Sequence, residues 1–282
     1  MGKVVASRKL YQIRISKYLQ SEDLNDIRAL NFDQAYQEYG YGIWETLSIW
    51  NKDGRNGDAI SKEYEGSAQI NDTGKDLHNI NRMINDHFEC RHIKSVRLLR
   101  SCKGGMILPH FDYLEFQNGF TRLHVVLDID DTCLNSEGDV VYQMEAGDVW
   151  FLDGRELHSA TSISPSGKLC LMIDFSPHEP FERLFKSTPL LDHPPISTPL
   201  VRNKPMEDAL VSALLTLNQY SPSHRVKDIM AILNQFCFER KVPHSAFYPL
   251  LDQVFDVRVN PNNHEIYQHI KSIMIVSGHH ES

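Results

Sequence analysis

Cysteine is scarce in this 282-residue chain: five stand at positions 90, 102, 133, 170 and 237, with no C-x-x-C spacing. The odd number and the spacing argue against a disulfide framework or a thiol-built zinc site, and fit reduced thiols in a cytosol. Long apolar runs are missing, so nothing approaches the roughly 20 residues of a membrane helix. The opening MGKVVASRKLYQIR lacks the apolar stretch of a signal peptide, and Ala6 stands where a myristoylation signal needs Ser or Thr. Basic clusters are missing too. The net charge is -8 with no Lys/Arg run, so neither nucleic acid nor an anionic membrane is an expected partner. No G-x-G-x-x-G, G-x-S-x-G or H-E-x-x-H occurs, which removes three common catalytic signatures. What is present is 41% hydrophobic and 23% charged residues, enough for a globular core.

Residues 8–16 alternate as a first strand, with Leu10, Ile13 and Ile15 apolar. A helix is predicted next, capped by Ser21 and carrying Leu24, Ile27 and Leu30. Tyr36, Tyr39, Tyr41, Trp44 and Trp50 then crowd one segment, read mainly as a core edge and secondarily as a pocket wall. Residues 51–75 read as a surface loop and 76–89 as a helix over a sheet. Short strands are predicted over 95–101, 106–110, 122–129, 140–144, 149–152, 158–163 and 169–175. Such a run points to a jelly-roll or cupin-like barrel. Seven of the 13 prolines fall between Pro177 and Pro205, a connection of irregular structure. Four helical patterns follow, the last starting at Asn260-Pro261. The expected organisation is a barrel over 1–176, a Pro-rich connection over 177–205 and a helical segment over 206–282. That segment is assigned packing, dimerisation or pocket closure, and the chain a monomeric or homodimeric state.

The chemistry lies in the barrel. ILPHFDY places His110 and Asp112 two residues apart, on one face of a strand. DVWFLDGRELHSA places His158 after a turn. Two histidines and a carboxylate can hold one divalent ion with open positions left, the pattern of non-haem Fe(II) sites. An H-x-D alone is common, and a surface H-x-D with a structural His158 is the competing reading. On the strand 122–129, Arg122 and His124 share a face that suits a carboxylate if it points inward, or plain solvent if it does not. Lys168 shares a face with Cys170, Met172 and Asp174; it would either reach a dicarboxylate or sit in a surface turn.

The run ILPHFDYLEF…FTRLHVVLDID, with GDVWFLDGRELHSA and LCLMIDF, resembles the bacterial hydroxylases of free L-proline, cis-3 and cis-4, and their relatives acting on pipecolic acid. More distantly it resembles the aspartyl/asparaginyl β-hydroxylases. The likeness covers most of the chain. It implies an α+β chain with a double-stranded β-helix core, Fe(II), 2-oxoglutarate and O2, and hydroxylation of a ring carbon of a free amino acid with release of succinate and CO2. It implies His110, Asp112 and His158 as iron ligands. Arg122 and His124 would line the co-substrate and substrate pocket, and Arg100, matching an arginine of the preceding strand, would with Arg122 hold the substrate carboxylate. The family usually places arginine at position 168 to grip the far carboxylate of 2-oxoglutarate, and this chain has Lys168, which keeps the charge and loses the planar fork. Two rivals stay open: a peptidyl aspartyl/asparaginyl hydroxylase, and a cupin-like metal-binding protein that is not an oxygenase.

Overall fold

Alternation decides the architecture. In the computed structural model the described residues are 7–35, 37–57, 64–112, 120–176, 179–186 and 209–276. Ten strands form one curled, antiparallel sheet: β1 (Arg8–Gln12), β2 (Gly40–Asn51), β3 (Gln69–Ile70), β4 (Ile93–His110), β5 (Thr121–Ile129), β6 (Cys133–Glu137), β7 (Val140–Tyr142), β8 (Asp148–Leu152), β9 (His158–Ser162) and β10 (Lys168–Phe175). The main path runs β1-β8-β5-β10-β4-β9-β6-β7, with β2 added beside β4 and β3 beside β2. This is the double-stranded β-helix core expected from the sequence. β4 belongs to both halves: it pairs with β10 through Ile93–Ser101 and with β9 through Gly105–His110. The predicted strands 95–101 and 106–110 are therefore one strand. It turns at Lys103 and Gly104, both with positive φ, rather than breaking there.

Along each central strand one parity faces outward and is apolar. Val96, Leu98, Leu123, Val125, Leu127, Leu169, Leu171, Ile173 and Phe175 are all buried in one cluster. Helices α1 (Ser21–Ala29), α2 (Asp72–Asp76) and α3 (His78–His87) lie in the N-terminal part, and Ile27, Ile80, Met83 and Ile84 close that cluster. The cap of α1 is Gln20, not Ser21: the Gln20 amide donates to Asp23 Oδ2 at 2.7 Å in a capping box, which makes Ser21 the first helical residue. The opposite parity carries Arg97, Leu99, Arg122, His124, Lys168, Cys170 and Met172, turned into the barrel.

The C-terminal helices are α4 (Ala209–Tyr220), α5 (Val226–Glu239), α6 (Phe247–Val254) and α7 (Pro261–Lys271), followed by a π-helical turn, Ser272–Val276. Asn260 caps α7 as predicted, its side chain accepting from Asn263 N, with Pro261 in the first turn. Their buried faces form a second cluster that takes in Met106 and Leu108 of β4 and Tyr39. Tyr36 and most of the Pro-rich connection lie outside the described residues. No helix among the described residues is long and apolar enough to cross a membrane.

Candidate metal centre

His110 ends β4 and His158 begins β9, and the two are register partners across the sheet. Their ring centroids are 4.3 Å apart. Asp112 follows two residues after His110, and its backbone amide donates to Gly154 O at 2.8 Å, tying it to the turn before His158. Gly154 is there for closeness: a Cβ on it would stand 2.5 Å from Asp112 Oδ2.

Each histidine has its Nδ1 placed 2.9 Å from a backbone carbonyl, Leu108 O for His110 and Glu156 O for His158. A carbonyl only accepts, so Nδ1 carries the proton and Nε2 is the atom each ring presents. The two Nε2 atoms lie 3.4 and 3.5 Å from Asp112 Oδ1. One ligand atom from each of the three residues falls within 4.8 Å of the others. Three lone-pair donors converging with their proton positions already assigned is an arrangement that a divalent cation satisfies. The three groups shift one another's ionisation. Burial works against ionisation of Asp112, but Arg122 and His158 outweigh it and hold the carboxyl well below the usual range. Burial lowers the His110 pKa and the facing His158 lowers it further. In His158 burial is overcome by Asp112, and the pKa rises.

Behind the triad sits a buried charge relay. Arg122 donates through Nη1 to Asp112 Oδ2 at 2.8 Å and through Nε to Asp174 Oδ1 at 2.8 Å. Arg97 Nη2 donates to Asp174 Oδ2 at 2.9 Å. Asp174 is fully buried and so orients two guanidiniums at once. A cavity of about 100 Å³ opens in front, lined by the triad, Arg97, Arg122, His124, Lys168, Tyr39 and Trp44 among others. Lys168 is only 3% exposed. Its Nζ donates to Asn135 Oδ1 at 3.2 Å and lies 5.6 Å from the Trp44 ring centroid. Among the described residues no carboxylate reaches it. Asn135 Nδ2, Ser136 Oγ and Thr46 Oγ1 line the same cavity, buried and without hydrogen-bond partners among the described residues. His124 is kept neutral: burial, then Lys168 and Arg122, hold its pKa well below the ordinary value. Cys170 Sγ lies 3.8 Å from His124 Nδ1, and burial pushes the thiol up to about 11. The remaining acidic side chain of the lining, Asp153, is held by Arg155 Nε and Nη2, both at 2.8 Å.

The structure thus brings His110, Asp112, His158, Arg122, His124 and Lys168 to one cavity. It does not bring Arg100. That side chain has the outward parity of β4, stacks over Phe32 with 4.3 Å to the ring centroid and pairs with Glu45. Arg97 takes the inward place instead. The signal was present in SVRLLRS, where Val96 and Leu98 mark the core side and leave Arg97 opposite. Among the described residues of the aromatic segment, Trp44 and Tyr39 reach the cavity; Trp50 is core, its indole donating to Asn81 Oδ1 at 2.9 Å.

The model of one family, described as aspartyl/asparaginyl beta-hydroxylase, matches residues 13–177, which include every residue named in this cavity. The chain belongs to that family. Among characterised relatives, an L-proline cis-4-hydroxylase of Rhizobium meliloti (strain 1021) is 28% identical over 253 residues, 89% of each chain. An L-proline cis-3-hydroxylase 2 of a Streptomyces species is 25% identical over 256 residues, 88% of this chain and 87% of that one. A solved oxidoreductase of the 2OG-Fe(II) oxygenase family from Burkholderia pseudomallei covers 60% of this chain and 84% of its own, at 15% identity and a TM-score of 0.35, a likeness too slight to carry function.

Proposed function

We propose that the protein is an Fe(II)- and 2-oxoglutarate-dependent hydroxylase of a free cyclic L-amino acid, L-proline or a ring homologue such as L-pipecolic acid. The observation that carries the reading is Lys168: a buried ammonium that no carboxylate among the described residues reaches, lining one cavity with a His-Asp-His triad. A buried charge left in that state is costly unless a ligand completes it. The relatedness to proline hydroxylases supports the choice of substrate class.

On this reading His110, Asp112 and His158 hold Fe(II) through two Nε2 atoms and a carboxylate oxygen. Bound iron with 2-oxoglutarate and O2 supplies the oxidation, converting the co-substrate to succinate and CO2 as one oxygen atom enters a C–H bond. Lys168 receives the far carboxylate of 2-oxoglutarate, assisted by Asn135 and Ser136, whose free polar atoms face the same space. Arg122 keeps Asp112 ionised and oriented, and with Arg97 forms the wall for the substrate carboxylate. Neutral His124 adds a hydrogen-bonding group without another positive charge. The residues hold the ring carbon against the metal and so set regiochemistry.

The test is succinate formation from 2-oxoglutarate with Fe(II) and a panel of free amino acids: proline, pipecolate and acyclic controls, with products read by mass and NMR. Turnover coupled to a cyclic amino acid is expected. Turnover with aspartyl or asparaginyl peptides alone would replace this reading by the peptidyl hydroxylase, and metal binding without any turnover by the cupin-like protein.

A further inference from the structure

The C-terminal helical segment touches the backbone beside the histidine ligands, and we infer that it positions the metal triad, with Tyr248 and Asn234 as positioning residues. The inference rests on the metal reading above. His110 lies between two peptide groups. The carbonyl of the first, Pro109 O, accepts from Tyr248 Oη at 2.5 Å. The amide of the second, Phe111 N–H, donates to Met274 O at 3.2 Å in the π-helical turn. Peptide groups are planar, so anchoring both planes that flank a Cα fixes where its side chain points. Phe111 also leads directly into Asp112. On the facing strand, Ser159 follows His158. Its Oγ lies 2.7 Å from Ile107 O and 3.2 Å from the Asn234 side-chain amide, which is fully buried on α5.

The sheet pairs His110 with His158 but supplies only part of this anchoring. Pro109 has no N–H, and the β4–β9 register slips between Ile107 and His110. The strand end that must hold two ligands is therefore the part of β4 where the ladder is interrupted. The helices meet it with packed side chains: Met106 and Leu108 insert among Met230, Leu233, Phe247 and Leu251. A helical unit docked that firmly transmits its geometry to the ligands rather than merely covering the sheet.

Co(II) titration of the full-length protein tests this, since its visible absorption reads ligand geometry without turnover. Tyr248→Phe removes one hydrogen bond and keeps the ring. Partners outside the first ring of ligands are typically worth about 10- to 100-fold in metal affinity, and for a single bond to a neutral carbonyl we expect about tenfold weaker Co(II) binding with a changed spectrum. Asn234→Ala, acting on the His158 arm, should weaken binding in the same direction and decides the matter if the first variant does not fold. Asn263→Ala is the control: its buried side-chain amide donates to Asn218 Oδ1 at 2.9 Å and Ser221 O at 3.0 Å inside the helical segment, so it should lower the melting temperature while leaving Co(II) affinity unchanged. Wild-type affinity and spectrum in both Tyr248→Phe and Asn234→Ala, or equal weakening in Asn263→Ala, would overturn the positioning role. Wild-type protein that takes up no Co(II) would instead overturn the metal reading beneath it.

Discussion

Replacing Lys168 by Met removes a buried ammonium while keeping most of the chain length that packs near Trp44. If Lys168 receives the far carboxylate of 2-oxoglutarate, the variant leaves that carboxylate facing only Asn135 and Ser136. A hydrogen bond to a charged group contributes about 1.5–3 kcal/mol, and the pair here is dry, so the upper half of the range applies. At about 1.4 kcal/mol per tenfold, a loss of about 2–3 kcal/mol is a 30- to 150-fold rise in the KM for 2-oxoglutarate. The same number sets a thermal signature. Ligand at 100 times its Kd stabilises the native state by about 2.7 kcal/mol, which at about 2 °C per kcal/mol for a chain of this size is a rise of about 5 °C. At the same concentration a 100-fold weaker variant gains only about 0.4 kcal/mol, or about 1 °C. The assay is a thermal melt with Mn(II) in place of iron, with and without 2-oxoglutarate, beside the KM from succinate release. Lys168→Arg should retain most of both effects because the charge stays. A Lys168→Met protein with KM within threefold of wild type and an undiminished thermal shift would refute the assignment.

Other substitutions separate the remaining roles. Gly154→Ala sets a Cβ against the Asp112 carboxylate and should cost about 100-fold in turnover, the scale of a 1 Å misplacement, with folding intact by circular dichroism. Arg97→Lys keeps the charge but loses the fork, so the KM for the amino acid should rise about tenfold while that for 2-oxoglutarate stays put. His124 gives a pH signature. Its native pKa is depressed by burial, Lys168 and Arg122, so below the unfolded value of about 6.5 the unfolded chain binds a proton that the native chain refuses. Stability must then fall as pH drops below that point, by up to about 1.4 kcal/mol per unit for this one group, and a His124→Gln protein should show a shallower acid slope in urea titrations between pH 6.5 and 5.

Much of the barrel was legible because its strands obey strict alternation. In RLHVVLDI and KLCLMIDF the apolar parity marks the core, and once that is set the charged parity must face the cavity. The same rule puts Arg97 on the cavity side of β4 and Arg100 on the other, against Phe32 and Glu45. β2 was hidden because GYGIWETLSIWN carries aromatics on both faces, with Trp44 toward the cavity and Trp50 toward the core, so its periodicity is blurred. β6, reading CLNSE, is too polar to look like a strand. Its polarity is functional, since Asn135 and Ser136 line the cavity beside Lys168. Gly104-Gly105 looked like a break in β4 and is instead the bend that carries one strand between both halves of the barrel. The link from Tyr248 to Pro109 spans too much sequence for any local pattern to reveal it.

Charge explains why so many ionised groups are tolerated in this interior. Around the cavity, the three cations Arg97, Arg122 and Lys168 stand against Asp112 and Asp174, one positive charge in excess within this group, while Asp153 and Arg155 cancel each other. Hydrophobic isosteres replacing the whole set at once would be the more stable choice for folding alone, whereas removing one partner would leave another buried charge unpaired. On the proposed reading the excess has a use. A divalent ion raises it to three, dianionic 2-oxoglutarate brings it back to one, and an amino acid zwitterion leaves it there with its carboxylate toward the arginines. Binding order follows from the same arithmetic. The dianion is drawn in most strongly once the metal is present, so 2-oxoglutarate affinity should be weaker in metal-free protein, whereas an amino acid zwitterion gains little from the ion's net charge. A site built for a neutral ligand, or for a metal alone, has no need of Lys168, and among the described residues the cost of burying that ammonium would then be offset only by Asn135 Oδ1 and the Trp44 ring.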